Sequence, residues 1–207
     1  MEYIPAILTV ASVHFLALMS PGPDFILTVQ SSLLRSRKAG IYSALGLATG
    51  MGVHVAYSLA GIGFLISRSI LLFSVLKYLG AAYLIYIGYK ALRSKKESYQ
   101  VKDGAKAAIT FGQAWRTAFI TNVTNPKVTL FFLSVFTLVI NPHTPLYIQL
   151  IMGLEMVAAT FLWFSLVAIV FSHRLLQGRV QNVQYYAEKF LGAVLVLLGL
   201  KLATASR

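Results

Sequence analysis

The sequence predicts an all-α integral membrane protein with six transmembrane helices, arranged as two inverted three-helix repeats. Three observations carry this expectation. The 207 residues are 57% hydrophobic and only 12% charged, with a mean hydropathy of +0.73. A soluble domain is about 45–50% apolar and about 25% charged. Apolar runs close to the ~20 residues that cross a bilayer recur along the whole chain. The order of features in the first half then returns in the second.

The apolar segments run approximately Ile4–Leu34, Ile41–Ile66, Ile70–Leu92, Ala118–Ile140, Leu146–Phe171 and Ala187–Ala205. No polar stretch is long enough for a second, soluble domain, so residues 1–207 read as a single membrane domain. Glu2 stands where a signal peptide would be basic, and the first run is read as retained. The formal charge of +12 sits in short separators between apolar runs. That placement fits retention of basic loops in the cytoplasm and contact with anionic lipid, and it argues against a nucleic-acid partner. Arg35, Arg37 and Lys38 load the first separator. Arg93, Lys95, Lys96, Lys102, Lys106 and Arg116 load the third, and Arg174 and Arg179 the fifth. Both termini are therefore expected outside, on the periplasmic face of a bacterial inner membrane. The absence of cysteine excludes disulfides, thiolate metal sites and thiol redox chemistry.

The repeat is clearest where "KYLGAAYLIYIGYK" (Lys77–Lys90) meets "KFLGAVLVLLGLK" (Lys189–Lys201). Upstream, Gly46-Leu47 and Ser58-Leu59 fall against Gly153-Leu154 and Ser165-Leu166, and Pro23-Asp24 against Pro126-Lys127. Repeat 1 is placed at 1–93, a basic cytoplasmic linker at 94–116 and repeat 2 at 117–207. Three spans are an odd number, so the second copy enters from the opposite side, as in many secondary transporters.

Each repeat opens on a proline-containing break. The first apolar run of about 30 residues would make a helix of roughly 45 Å, against a hydrocarbon core of ~30 Å. Pro21 and Pro23 lack N–H groups and leave the carbonyls of Ala17 and Met19 without helical donors; Pro126 does the same to Asn122. Asn125-Pro126-Lys127 reads as a half-helix start capped by Asn125, and Ser20-Pro21 or Gly22-Pro23 as another. Half-helix starts suit a carboxylate, and the carbonyls before them suit an ammonium or a proton donor. Two such breaks facing each other would hold a zwitterion, that is, an amino acid.

Asp24 and Lys127 occupy equivalent places with opposite charge, and ionisable groups inside spans are functional candidates. Asp24 carries protons, grips an ammonium, or only balances Lys127; the sequence leaves these three open. Glu155, a turn or so into the fifth span, is a candidate proton carrier. His14 and His54 lie inside spans one and two, where a hydrogen bond to a neighbouring helix is the commoner role and a proton relay the alternative. Asn122, Thr121 and Thr124 precede the second break and could face the freed carbonyls or the ligand. Gly46-x-x-x-Gly50 is a close-packing motif expected to seat a helix within the bundle.

"SPGPDF", "TNVTNPKVTLFF" and "KYLGAAYLIYIGYKALR" together resemble the LysE/RhtB amino-acid exporter family, over essentially the whole chain, and look most like its threonine-efflux branch. The resemblance implies export of small amino acids such as threonine and homoserine, with proton antiport. It implies protons, an amino acid and the bilayer as partners, with a second copy of the chain as a candidate, and no cofactor. A metal-cation exporter of the same superfamily is the alternative. It would need several in-membrane carboxylates or imidazoles, and Asp24, Glu155 and the two histidines are spread over three spans. No H-E-x-x-H, G-x-S-x-G or paired-aspartate motif supports an enzyme. The topology is open to a direct check. An epitope tag at residue 1 should report from the periplasmic side of the inner membrane; reporting from the cytoplasm would reverse the assignment.

Overall fold

A computed structural model describes residues 3–20, 22–68, 70–94, 109–129, 131, 132, 144–172 and 177–204. Pro21 and most of the expected linker, 95–108, lie outside them, as does 133–143, where the fourth apolar segment ends. All regular structure among the described residues is helical.

The first apolar run is broken as its prolines require. Helix α1, Ile4–Met19, ends at Ser20, whose extended backbone turns its N–H back to the Ala17 carbonyl. Helix α2, Pro23–Gln30, starts with Gly22 as cap and Pro23 in the first turn, where a missing N–H costs nothing. The half-helix start is thus at Gly22-Pro23, not at Ser20-Pro21, because Ser20 already terminates α1. Helix α2 runs on into a π-helical turn, Ser31–Arg35, and the axis bends by 57° between α1 and this second half. Helix α3, Arg37–Arg68, follows, its first turn capped by the Ser36 hydroxyl accepting from the Ala39 N–H. Helix α4 spans Ile70–Arg93.

Helix α5, Phe111–Val123, begins inside the stretch expected to be linker. Thr110 and Gln113 form a reciprocal capping box that fixes its start ahead of the apolar segment. After the second break come helical residues 126–129 and 131–132, termed α6. Helix α7 covers Leu146–Phe171 and helix α8 Gln177–Thr204.

Among the described residues, two helices are by themselves long and apolar enough to cross a membrane: α3 over Arg37–Ala60 and α7 over Leu146–Phe171. The bent α1–α2 pair through Arg35 makes a third. Helix α7 shows the membrane character most plainly. It buries Met152, Met156, Thr160 and Phe164 on one side and exposes Leu150, Leu154, Leu162 and Leu166 on the other. A helix apolar all round belongs in a core or in lipid. Among the remaining expected spans, α5 has 13 residues and the apolar part of α8 is Gly192–Thr204.

Helix α3 is the hub, packed on α5 and α7, while α4 pairs with α8. Glycines set both contacts. A Cβ at Gly46 would lie 2.3 Å from the Trp115 carbonyl oxygen and 2.8 Å from the Ala118 Cβ, and one at Gly50 would lie 2.8 Å from Asn122 Oδ1. The Gly46/Gly50 pair therefore seats α5 inside the bundle. On α7, Gly153 receives Val55. In the α4–α8 pair, Gly88 faces the backbone of Gly192 while Gly199 faces Ala81 and Ile85, so the two helices run antiparallel. Lys189 closes one end of this pair by donating to the carbonyls of Leu92 and Ser94 at the end of α4.

The α3–α5 contact leaves no room for a side chain. Gly46→Leu should destabilise the protein by about 1–3 kcal/mol through overpacking. Gly112→Ala, where a Cβ meets nothing within 4 Å, should leave stability unchanged. Thermal unfolding in detergent measures both.

Candidate functional site

Helices α5 and α2 cross close to their breaks, which brings the two proline motifs together. The second break is made locally. Helix α5 ends at Thr124, whose N–H reaches the Ile120 carbonyl, and Asn125 N–H bonds the Asn122 carbonyl at 3.0 Å. Asn125 then caps α6: its Oδ1 accepts the Lys127 N–H at 3.0 Å, with Pro126 between them.

The same asparagine binds across to the first break. Asn125 Nδ2 donates to Asp24 Oδ1 at 3.1 Å, and Asn122 Nδ2 donates to Asp24 Oδ2 at 2.7 Å. Asp24, in the first turn of α2, is 7% exposed, and Asn122 and Asn125 are buried. Both carboxylate oxygens accept, which is the pattern an ionised carboxylate satisfies. Lys127 answers in the opposite direction. Its Nζ donates to the Ser20 carbonyl at 2.9 Å, at the end of α1. The Lys127 side chain also lies over Gly22, 3.5 Å from where a Cβ would stand. Each break therefore supplies groups that satisfy the other.

Behind Asn122 stands His54. Its Nε2 lies 3.0 Å from the Asn122 carbonyl and its Nδ1 2.6 Å from the Tyr57 hydroxyl. A carbonyl only accepts, so Nε2 carries the hydrogen, and in the neutral ring Nδ1 accepts from Tyr57. Thr129 Oγ1 donates to the Asn125 carbonyl at 3.3 Å. The His54 ring stacks on Phe132, with centroids 5.7 Å apart. This network takes the Asn122 carbonyl, and the Ser20 N–H takes that of Ala17. The Asn122 carbonyl thus meets two donors and the Ala17 carbonyl one, where the sequence alone showed both without helical donors.

A cavity of about 40 Å³ lies between the breaks, room enough for water. Its polar wall is His14, Ser20, Gly22, Asp24, Asn125 and Lys127, and aromatic rings including Phe131 complete it. Asn122 and His54 stand behind this wall, and Glu155 is not part of it. Glu155 lies roughly two and a half turns into α7, not one, since the helix starts at Leu146. One of its carboxylate oxygens is buried with no partner among the described residues. The Thr121 and Thr124 hydroxyls turn back onto the carbonyls of Thr117 and Ile120 in their own helix. Pro23 and Pro126 sit exposed at their helix starts, and Pro21 lies outside the described residues.

Sequence reasoning named Ser20 as a half-helix start but missed its carbonyl as a partner of Lys127, and it missed Tyr57, Thr129 and Phe131. Tyr57 carried a signal, one turn beyond His54 on the same face of α3. The Ser20 carbonyl carried none, since any residue there has one.

Residues 15–206 match the family described as LysE type translocator. A threonine efflux protein of Escherichia coli (strain K12) is 31% identical over 197 residues, covering 94% of this chain and 96% of that protein. A threonine efflux protein of Salmonella typhi is 30% identical over 196 residues, covering 94% and 95%. A leucine efflux protein of Salmonella choleraesuis (strain SC-B67) is 30% identical over 188 residues, covering 89% and 88%. These relatives are transporters and not enzymes. No solved structure matches the chain.

Asn125 performs two tasks, as cap and as clamp. Asn125→Ala should cost about 1–3 kcal/mol by thermal unfolding in detergent. Thr121→Ala should change stability by no more than about 0.5 kcal/mol in the same assay.

Proposed function

The chain belongs to the LysE family of translocators, and from that membership we propose that it exports small amino acids of the threonine and homoserine type across a bacterial inner membrane in exchange for protons. One observation supports this above the rest: an acidic and a basic break share a single small cavity, with Asp24 and Lys127 on its wall. An amino acid presents the complementary pair of charges on one carbon.

In this reading the ligand's carboxylate meets the half-helix starts after Pro23 and Pro126, with Lys127 adding charge. Its ammonium meets Asp24. A carboxylate arriving at Lys127 competes with the Ser20 carbonyl for Nζ, and a released Ser20 carbonyl becomes a second acceptor for the ammonium. Binding thereby loosens the tie that Lys127 makes from the second break to the first. A ligand that interacts differently with two states shifts the balance between them. Two inverted repeats, 1–93 and 117–207 joined by the basic linker 94–116, then rock about the site to give alternating access. The antiparallel, glycine-faced α4–α8 pair supports that arrangement, because it sets the matching helices of the two halves against each other. A proton entering from outside, where both termini lie, displaces the cargo through Asp24 or Glu155.

Purified protein in liposomes under a pH gradient tests the proposal. Counterflow of labelled threonine or homoserine is expected, and Asp24→Asn and Lys127→Ala should each abolish it while the protein remains in the membrane. Full activity in either variant would remove that residue from the site. Movement of cadmium or manganese with no amino acid moving would favour the cation-exporter alternative.

A further inference from the structure

His14 is only 1% exposed, and neither of its ring nitrogens has a hydrogen-bond partner among the described residues. It stands on α1 and lines the same cavity as Asp24 and Lys127. Phe131 lies 6.3 Å away, centroid to centroid, and apolar Val10, Val13 and Met51 belong to the cluster around it. His54, also buried, uses both of its nitrogens. A buried polar group with no partner bears the full cost of leaving water, and an apolar side chain would fill His14's place without that cost.

We infer that His14 is the specificity-determining residue that reads the side chain of the transported amino acid, selecting a hydroxyl-bearing side chain over an aliphatic one of the same shape. The inference rests on the amino-acid carrier reading above. Asp24, Lys127 and the half-helix starts bind the α-ammonium and α-carboxylate, which all amino acids share, so they cannot discriminate. Discrimination falls to whatever lines the rest of the cavity, and His14 is the polar side chain there that those two charges leave unused. A neutral imidazole offers one donor and one acceptor, as does a hydroxyl. Threonine would satisfy it. Valine, its isostere, would leave both nitrogens dry, and a site built to bond a hydroxyl strongly rejects the analogue lacking it.

Counterflow of threonine and valine into liposomes, each measured for the wild type, His14→Leu and His14→Gln, tests the inference. The wild type should prefer threonine. His14→Leu should lower threonine transport relative to valine at least about tenfold, the worth of one good hydrogen bond. His14→Gln, which keeps a donor and an acceptor, should retain most of the preference. A preference unchanged in His14→Leu, or threonine and valine falling together in both variants, would overturn the role. So would a changed pH dependence with the preference intact, which would make His14 a proton group. A wild type that moves valine as well as threonine would also overturn it. A wild type that moves no amino acid would instead bring down the carrier reading itself, and the His14 inference with it.

Discussion

The structure turns on one carboxylate. Asp24 sits at a helix start inside the bundle with both oxygens held by amides from the other break, Asn122 Nδ2 at 2.7 Å and Asn125 Nδ2 at 3.1 Å. A broken helix in hydrocarbon exposes backbone groups that lipid cannot satisfy. A buried carboxylate without donors would be costlier still. The chain meets both demands by facing one break against the other. Asn125 shows the economy of this, since its Oδ1 caps α6 while its Nδ2 holds Asp24. Lys127 completes the exchange by returning a donor to the Ser20 carbonyl. In a low-dielectric interior each of these bonds strengthens its neighbours, and a partly satisfied network would be worse than an apolar core.

That crossing depends on how closely α5 approaches α3. Gly46 and Gly50 let the backbone of α5 come to within the space of a side chain. The approach places Asn122 where His54 can reach its carbonyl. Glycine spacing on α3 thus decides whether Asn122 reaches Asp24, although neither glycine touches the carboxylate. Beyond Asn122, His54 and Tyr57 brace the second break from behind, and Thr129 bonds the Asn125 carbonyl separately. On the cavity side, the Lys127 ammonium is held at the Ser20 carbonyl.

Much of this was legible before any fold was known. Pro23 and Pro126 mark the half-helix starts, Asn125 has the residue type and position of a cap, and the opposite charges of Asp24 and Lys127 pointed to one site. The Gly46/Gly50 motif was read as an internal contact and makes one. Glu155 was harder: its sequence neighbourhood says only that a carboxylate lies in an apolar helix, and the cavity between the breaks does not include it. The two histidines were not separable. His14 and His54 have similar apolar surroundings in sequence, yet both nitrogens of His54 are bonded and neither nitrogen of His14 has a partner among the described residues.

By itself the sequence determined the membrane character, the places where helices break, and the charges set beside those breaks. These follow from local causes: apolar length, a missing N–H on proline, and the identity of the adjacent residue. Only the tertiary structure decided which freed carbonyls are taken, which polar side chains face the cavity, and which stand behind its wall. Those outcomes depend on helix approach and rotation, set jointly by residues far apart in the chain, such as Gly50 against Asn122 and Ser20 against Lys127. A donor finds its acceptor across roughly a hundred residues, and no local pattern records that meeting.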